Sequence, residues 1–281
     1  MTSPTLTHGI SEAAYRFIAD MVYEHSRIRL GTDKQALVSG RLAKRLRALK
    51  LDSFEDYCKF LQSAAGEEEL GPLVDLISTN HTNFFREIQH LDFLRDQVLP
   101  DLLPRLVKQR ETFRIWSAAC SSGEEPYTMA IVLAEYARHN GPFAWQIEAS
   151  DISSRILERA QNAIYAEDRV KMPQPDWLAR YFQKGSGQYD GCFRVKDALR
   201  QTVKFHRLNL LQPSYPVAPD QHVIFCRNVM IYFDTVTQQE LVTKLIAQLA
   251  PGGHLIVGHS ESLLGVKHPL KTLKPGIYRK N

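Results

Sequence analysis

The first part of the chain carries apolar residues at helical spacing. The spacing is clearest in EAAYRFIADMVYEHS (12–26), FEDYCKFLQSA (54–64) and LGPLVDLISTN (70–80). The polar stretch AAGEEELGP (64–72) predicts a turn between two of these helices. No alternating pattern of apolar and polar residues indicates a strand here, so we expect residues 1–85 to form an all-helical domain.

After about residue 110 the pattern changes to short apolar runs that alternate with helical stretches. The runs predict strands at FRIWSAA (113–119), WQIEASDI (145–152), VKFHRLNL (203–210), HVIFCRN (222–228) and HLIVGHS (254–260). Helices are predicted at EEPYTMAIVLAEYARH (124–139), SSRILERAQNAI (153–164) and TVTQQELVTKLIAQL (235–249). We therefore expect residues 86–281 to form an α/β domain with an open, mostly parallel sheet, whose ligands bind at the carboxyl ends of the strands.

A segment of different character interrupts this alternation at residues 165–202. GSGQYDG (185–191) is rich in turn residues, and GCFRV (191–195) has the composition of a strand. We therefore predict a small antiparallel β insertion built like a hairpin, with a plain surface loop as the alternative.

Composition excludes several classes of protein. The four cysteines of the 281-residue chain lie far apart without a C-x-x-C pair, so neither a disulfide framework nor a zinc cage is expected. The ten histidines have no spacing that places two beside a carboxylate on one helix face, and we predict no metal. No apolar run reaches the roughly 20 residues of a membrane span, and the polar N-terminus resembles no secretory signal. We expect a cytoplasmic protein with no membrane insertion.

Positive charge is concentrated in LVSGRLAKRLRALKL (37–51), although the formal net charge of the chain is only +4. On a helix, Leu42, Leu46 and Leu49 form a narrow apolar stripe. The remaining circumference carries the cations Arg41, Lys44, Arg45, Arg47 and Lys50. This face is either a solvated surface or a docking surface for an acidic partner. No stacking aromatic residues are interleaved with the charge, so we expect no nucleic-acid partner.

The loop WSAACSSGEEPY (116–127) joins the first predicted strand to the first predicted helix of the α/β domain. Its single glycine, Gly123, is a poor match to the G-x-G-x-x-G pattern of dinucleotide sites. Glu124 and Glu125 begin the helix and suit a ligand with an ammonium group. Asp151 ends the second strand, at about the distance from the loop where a carboxylate meets ribose hydroxyls. The alternative is that these three acids only cap helices.

Three further stretches, taken with this loop, carry a resemblance to a known family. STNHTNFFRE (78–87), LNLL (208–211) and IFCRNVMIYFD (224–234) closely resemble the chemotaxis receptor methyltransferases known as CheR. FCRNVMIYF followed by GHSE is the specific part of the signature. The resemblance extends from about residue 12 to the C-terminus.

The resemblance implies a fold, a reaction and partners. The fold is a class I (Rossmann-like) methyltransferase sheet preceded by helices that dock to the receptor. The reaction transfers a methyl group from S-adenosyl-L-methionine to glutamate side chains of the chemoreceptor cytoplasmic helical bundle and leaves S-adenosyl-L-homocysteine. In some members the β insertion also binds a receptor C-terminal tail peptide through a free sheet edge.

The resemblance also implies roles for individual residues. The implied cofactor contacts are Asn80, Thr82, Arg86, Glu124, Glu125, Asp151, Asn209, Leu210, Arg227 and Asn228. Among them, Glu124 or Glu125 takes the methionine ammonium, Asp151 the ribose, and Asn209 with Leu210 the adenine. Arg86 and Tyr232 are our candidates for catalysis, with a core aromatic role as the alternative for Tyr232. From their charge, the five cations of residues 37–51 are our candidates for docking the receptor.

Methylation of glutamate explains why the sequence shows no catalytic acid and base pair. A glutamate side chain has a pKa of about 4.3, so at neutral pH it is already a nucleophilic carboxylate. The enzyme has only to align the carboxylate oxygen with the methyl carbon and the sulfur, and to exclude water. Two alternatives stay open: a class I methyltransferase that acts on a small molecule or RNA, and a non-catalytic scaffold that senses the cofactor.

Overall fold

A computed structural model describes residues 9–78 and 80–281. The chain divides into two compact units. The first contains the described residues up to 78 together with Tyr232–Thr237, and the second contains Asn80–Ile231 and Gln238–Asn281. The boundary between the two units thus follows residue 79, whereas the sequence pattern predicts it after residue 85.

Between residues 9 and 78, the described part of the first unit contains four α-helices, as the apolar spacing predicts. They are α1 (Glu12–Ser26), α2 (Gln35–Leu49), α3 (Phe54–Leu61) and α4 (Gly66–Ile77). Serine side chains cap the N-termini of α1 and α3. The Ser11 hydroxyl accepts from the Ala14 N–H, and the Ser53 hydroxyl accepts from the Asp56 N–H. Fully buried apolar side chains from all four helices, such as Ile18, Leu42, Tyr57 and Leu73, form the core.

The predicted turn at residues 64–72 is wrong for most of its length, because α4 begins at Gly66 and continues through Pro72. Three glutamates occupy its first turn, where the helix dipole favours negative charge. The third, Glu69, is only 3% exposed and accepts hydrogen bonds from the Tyr57 hydroxyl at 2.9 Å and from Arg45 Nε at 2.8 Å. These tertiary bonds outweigh the local turn preference of the glycine and proline residues.

The segment Tyr232–Thr237 belongs to the first unit although it is distant in sequence. The Arg29 N–H donates to the Tyr232 carbonyl at 3.0 Å. The Tyr23 hydroxyl donates to Asp234 Oδ2 at 2.5 Å, and this bond holds the pKa of the Asp234 carboxyl at about 2. The end of the IFCRNVMIYFD motif is therefore anchored in the helical unit.

The second unit contains two sheets. The strands are β1 (Phe113–Ala118), β2 (Trp145–Asp151), β3 (Ile164–Ala166), β4 (Phe182–Lys184), β5 (Cys192–Val195), β6 (Val203–Arg207), β7 (Gln221–Cys226), β8 (Leu249–Val257), β9 (Lys271–Lys274) and β10 (Ile277–Arg279). The large sheet has the order β6-β2-β1-β7-β8-β10-β9. The five neighbouring strands β6, β2, β1, β7 and β8 are parallel. β10 pairs with β8, and β9 pairs with β10, both in antiparallel orientation. β7 is buried throughout, as expected for a strand covered on both faces.

The helices of the second unit alternate with these strands. They are α5 (Ile88–Phe93), α6 (Leu99–Gln109), α7 (Glu124–Asn140), α8 (Ser154–Asn162), α9 (Pro175–Tyr181), α10 (Asp197–Arg200) and most of α11 (Thr235–Gln248). The small sheet has the order β3-β5-β4 with both pairs antiparallel, and it lies in the predicted insertion region except for Ile164, one residue before it. The predicted fold class and its small antiparallel sheet are confirmed. Within the described parts of the chain, no helix combines the length and apolar character needed to cross a membrane.

Candidate active site

The loop between β1 and α7 lies where an open parallel sheet binds ligands. β1 pairs with β2 on one side and with β7 on the other, so the strand order reverses at β1. The loop turns through left-handed backbone at Ala119, Ser121 and Gly123. A Cβ at Gly123 would lie 2.9 Å from the Tyr165 hydroxyl and 2.9 Å from Ala160 Cβ, so this position accepts only glycine.

Asp151 is fixed at the carboxyl end of β2 by two backbone hydrogen bonds. Its Oδ2 accepts from the Ser121 N–H at 2.9 Å, and its Oδ1 accepts from the Ser153 N–H at 3.0 Å. The structure thus holds this carboxylate against the loop. The predicted ribose contact stays a prediction.

Glu124 is fully buried at the start of α7. The Ser122 hydroxyl donates to its Oε2 at 2.6 Å, and Arg169 Nη2 donates to its Oε1 at 2.7 Å. Burial raises the pKa of the Glu124 carboxyl, and the bonds from Ser122 and Arg169 oppose this rise. Sequence reasoning missed Arg169, because it belongs to the insertion and no motif marks it.

Glu125 belongs to a different network on the same helix. Its Oε1 accepts from the Ser117 hydroxyl at 2.6 Å, and its Oε2 accepts from Arg227 Nη1 at 3.0 Å. Burial raises the pKa of the Glu125 carboxyl, and the Arg227 guanidinium opposes this rise. Each of the two predicted ammonium ligands is therefore paired with its own arginine.

Arg227 connects α7 to the segment that precedes α5. Its Nε and Nη2 donate to Glu87 Oε2 at 3.2 and 2.9 Å, Nη2 also donates to the Arg86 carbonyl at 2.6 Å, and Nη1 binds Glu125. The side chain is only 3% exposed. These bonds give Arg227 a positioning role, and its predicted contact with the cofactor stays a prediction.

Asn228 is held by two glutamates that sequence reasoning did not single out. Its N–H donates to Glu261 Oε2 at 2.6 Å, and its Nδ2 donates to Glu87 Oε1 at 3.3 Å. Glu261 also accepts the N–H groups of Gly258 at 2.7 Å and Met230 at 2.8 Å. Both glutamates lie in the stretches that carry the family resemblance, which is the signal that could have found them.

The segment at residues 80–87 lies beside the β1–α7 loop. The Asn80 carbonyl accepts from the Ser121 hydroxyl at 3.1 Å, and the carbonyl of buried Thr82 accepts from Arg169 Nη2 at 3.1 Å. Arg86 Nη1 donates to the His81 carbonyl at 2.8 Å. Three predicted cofactor residues thus share one neighbourhood with the loop.

Asn209 and Leu210 follow β6 and lie beside the end of β2. The Leu208 N–H donates to the Asp151 carbonyl at 2.9 Å. Asn209 Oδ1 accepts from the Leu211 N–H at 3.0 Å, and Leu210 is buried. Asn209 and Leu210, which are predicted to flank the adenine, therefore come directly after Leu208, whose N–H is bonded to Asp151.

Two models of one family together match nearly all of the described residues. The model described as CheR methyltransferase, SAM binding domain, matches residues 80–278, and the model described as CheR methyltransferase, all-alpha domain, matches residues 13–78. The chain belongs to the CheR methyltransferase family. The predicted family and the predicted cofactor, S-adenosyl-L-methionine, are confirmed.

Individual relatives agree with this assignment to the CheR family. A chemotaxis protein methyltransferase of Borreliella burgdorferi is 41% identical over 264 residues, which cover 93% of this chain and 92% of the relative. A protein with the same name from Salmonella typhimurium is 39% identical over 253 residues, covering 90% of this chain and 85% of the relative. Both similarities therefore include the helical unit as well as the cofactor-binding domain.

The five cations predicted to dock a receptor differ in their surroundings in this CheR chain. Arg41 Nη1 donates to the carbonyls of Ile77 at 2.5 Å and Ser78 at 3.1 Å, and Arg45 pairs with buried Glu69. These two arginines stabilise the helical unit itself. The other three, Lys44, Arg47 and Lys50, are exposed on α2 or at its C-terminal cap.

The predicted catalytic pair of this CheR chain is divided between the two units. Arg86 belongs to the second unit, whereas Tyr232 groups with the helices of the first. Both side chains are partly exposed. Their predicted roles in alignment stay predictions.

Glu87, His90 and His259 place potential metal-ligand atoms within 4.8 Å of one another. The Glu87 carboxylate already accepts hydrogen bonds from Arg227, from Asn228 and from the His259 N–H. Burial and the neighbouring Arg227 guanidinium lower the pKa of His90 to about 4. An ion pair beside a neutral histidine accounts for this cluster, because the guanidinium occupies the carboxylate and repels a cation. The prediction of no metal stays a prediction.

Proposed function

We propose that this chain transfers the methyl group of S-adenosyl-L-methionine to glutamate side chains of chemoreceptors, which yields methyl esters and S-adenosyl-L-homocysteine. One observation carries the proposal. Asp151, the β1–α7 loop and the segment at residues 80–87 form one hydrogen-bonded network at the carboxyl ends of β1 and β2. The names of the relatives, chemotaxis protein methyltransferase, support chemoreceptors as the substrate.

The network fits the cofactor group by group. The fixed carboxylate of Asp151 suits the ribose hydroxyls, and Asn209 with Leu210 suits the adenine. A buried glutamate at the start of α7 suits the methionine ammonium, because a carboxylate removed from water is stabilised by a positive charge beside it. When bound, the cofactor supplies a methyl group on a positively charged sulfur.

The chemistry that remains for the protein is alignment. The substrate glutamate needs no general base, since its ordinary pKa of about 4.3 leaves it ionised at neutral pH. We assign the alignment of the carboxylate to Arg86 and the orientation of either reactant to the Tyr232 hydroxyl. Holding reactants in line contributes several kcal/mol to lowering a barrier. Buried Cys120 takes no part, because burial raises the pKa of its thiol well above the ordinary value.

Two surfaces serve the receptor in this proposal. Lys44, Arg47 and Lys50 face solvent on one side of the helical unit, and an acidic stripe of receptor glutamates complements their charge. In the small sheet, β3 and β4 are the edge strands, and either can add a receptor tail peptide through backbone hydrogen bonds. The four free cysteines agree with the reducing cytoplasm, where we place the reaction.

A methyl-transfer assay tests the proposal. The protein is incubated with cofactor that carries a labelled methyl group and with a chemoreceptor cytoplasmic domain. We expect label on the receptor that mild alkali releases as methanol, and a much lower rate for Asp151→Ala. Binding of the cofactor without any transfer would overturn the enzymatic proposal, and transfer only to RNA or to a small molecule would overturn its substrate.

A further inference from the structure

Arg169 forms a junction between three segments of the second unit. It ends a single helical turn (Glu167–Arg169) that directly follows β3 of the insertion. Its Nη2 donates to Glu124 Oε1 at 2.7 Å and to the Thr82 carbonyl at 3.1 Å. The insertion therefore reaches the neighbourhood in which the proposed function places the methionine end of the cofactor.

The two sides of this ion pair differ in exposure. The Glu124 side chain is 0% exposed and is fixed by the Ser122 hydroxyl, whereas the Arg169 side chain is 43% exposed. A buried carboxylate needs a cation beside it. Arg169 now supplies that cation from the solvent side, where its long side chain has room to move.

The amino-acid end of S-adenosyl-L-methionine is a zwitterion with one ammonium and one carboxylate. Glu124 suits only the ammonium, and the roles carried over from the family resemblance assign no cation to the cofactor carboxylate. If the zwitterion binds between Arg169 and Glu124, the single ion pair of the protein is replaced by two, one from the ammonium to Glu124 and one from the carboxylate to Arg169. Neither charge of the protein is then left without a partner.

We infer that Arg169 binds the carboxylate of the cofactor's methionine end while Glu124 binds its ammonium. The inference rests on the proposed function, which places the cofactor at this network. Arg227 is a poorer candidate, because its Nε, Nη1 and Nη2 already donate to Glu87, Glu125 and the Arg86 carbonyl. Arg86 is the competing candidate, and the experiment separates the two.

Calorimetry with two ligands tests the inference on the intact protein. S-adenosyl-L-homocysteine carries the amino-acid end, and 5′-methylthioadenosine has the same adenosine and sulfur but lacks that end. Arg169→Ala should weaken binding of S-adenosyl-L-homocysteine by about tenfold or more, as expected for a lost hydrogen bond between charged groups. Its affinity for 5′-methylthioadenosine should not change. Lys171→Ala, at an exposed residue of the same insertion, should change neither affinity.

Further variants guard against a purely structural effect. Arg169→Lys keeps a positive charge beside Glu124 but loses the planar fork, so it should keep the melting temperature and bind S-adenosyl-L-homocysteine with intermediate affinity. Equal losses for both ligands, with a lower melting temperature, would show that Arg169 only neutralises Glu124. If Arg86→Ala, but not Arg169→Ala, weakened binding of S-adenosyl-L-homocysteine alone, the cofactor carboxylate would be assigned to Arg86 instead. A wild-type protein that binds neither ligand would instead refute the proposed function itself.

Discussion

Glu261→Gln is the substitution whose effect the structure defines most closely. The Glu261 carboxylate is 7% exposed and accepts four backbone N–H groups. They belong to Gly258, Asn228, Met230 and Ile231, at 2.7, 2.6, 2.8 and 3.3 Å. This single side chain therefore fixes the segment after β7 to the segment after β8.

Glutamine has nearly the same shape but only one oxygen that can accept. Two of the four N–H groups would face the amide nitrogen, which is itself a donor. A hydrogen bond to a charged acceptor contributes about 1.5 to 3 kcal/mol, so two lost bonds lower the free energy of unfolding by about 3 kcal/mol or more. For a chain of this size the melting temperature should fall by roughly 6 to 12 °C.

The assay is urea and thermal unfolding, combined with calorimetric titration of S-adenosyl-L-homocysteine. Weaker binding by the folded variant is also expected, because Glu261 positions Asn228, which we propose as a cofactor contact. Glu240→Gln, on the exposed face of α11, is the matched control and should behave as wild type. Stability of Glu261→Gln within about 1 kcal/mol of wild type would refute this account of the carboxylate.

Three further predictions concern the cofactor, the receptor and pH. Asp151→Ala should weaken S-adenosyl-L-homocysteine binding by about tenfold or more in calorimetry, because the variant lacks the carboxylate that we propose as the ribose acceptor. The double variant Lys44→Glu/Arg47→Glu should raise KM for the receptor at low salt and leave the cofactor Kd unchanged. Arg45 is kept in this variant, because its loss would also break the ion pair with Glu69. Burial lowers the pKa of His254 from 6.5 to about 4. Between about pH 6.5 and 4, only the unfolded chain then takes up this proton. The free energy of unfolding therefore falls as the pH is lowered through this window, by up to about 1.4 kcal/mol per pH unit. His254→Gln should make this dependence on pH less steep.

Features that depend on local pattern were predictable from the sequence. β1 and β7 are short, mainly apolar runs. β1 lies within its predicted strand, and β7 begins at Gln221, one residue before the strand predicted at 222–228. Asp151 ends β2 and contacts the β1–α7 loop, as the order of strand, loop and helix implies. Such strands are predictable because a short apolar run is typical of a strand that is covered on both faces.

Pairs formed between distant segments were not predictable. Nothing local marks Arg169 as the partner of Glu124, or Glu87 as the partner of Arg227, since each pair depends on where the fold brings its members. The same reason explains the wrong turn at residues 64–72, because Glu69 is stabilised by Arg45 and by the Tyr57 hydroxyl rather than by its neighbours. Charge pattern alone also could not separate Arg45, which serves the helical unit, from exposed Arg47.

Esterification of glutamate side chains of chemoreceptors is the activity that we propose for this chain. Peptide mass spectrometry of a receptor cytoplasmic domain after incubation with the protein and S-adenosyl-L-methionine tests it most directly. We expect a mass increase of one methylene group on glutamate-containing peptides and its loss in mild alkali. The increase should be absent when the same glutamates are replaced by glutamine and kept as amides. A methyl group that survives alkali on lysine or arginine, or no modification by a protein that binds the cofactor, would contradict it.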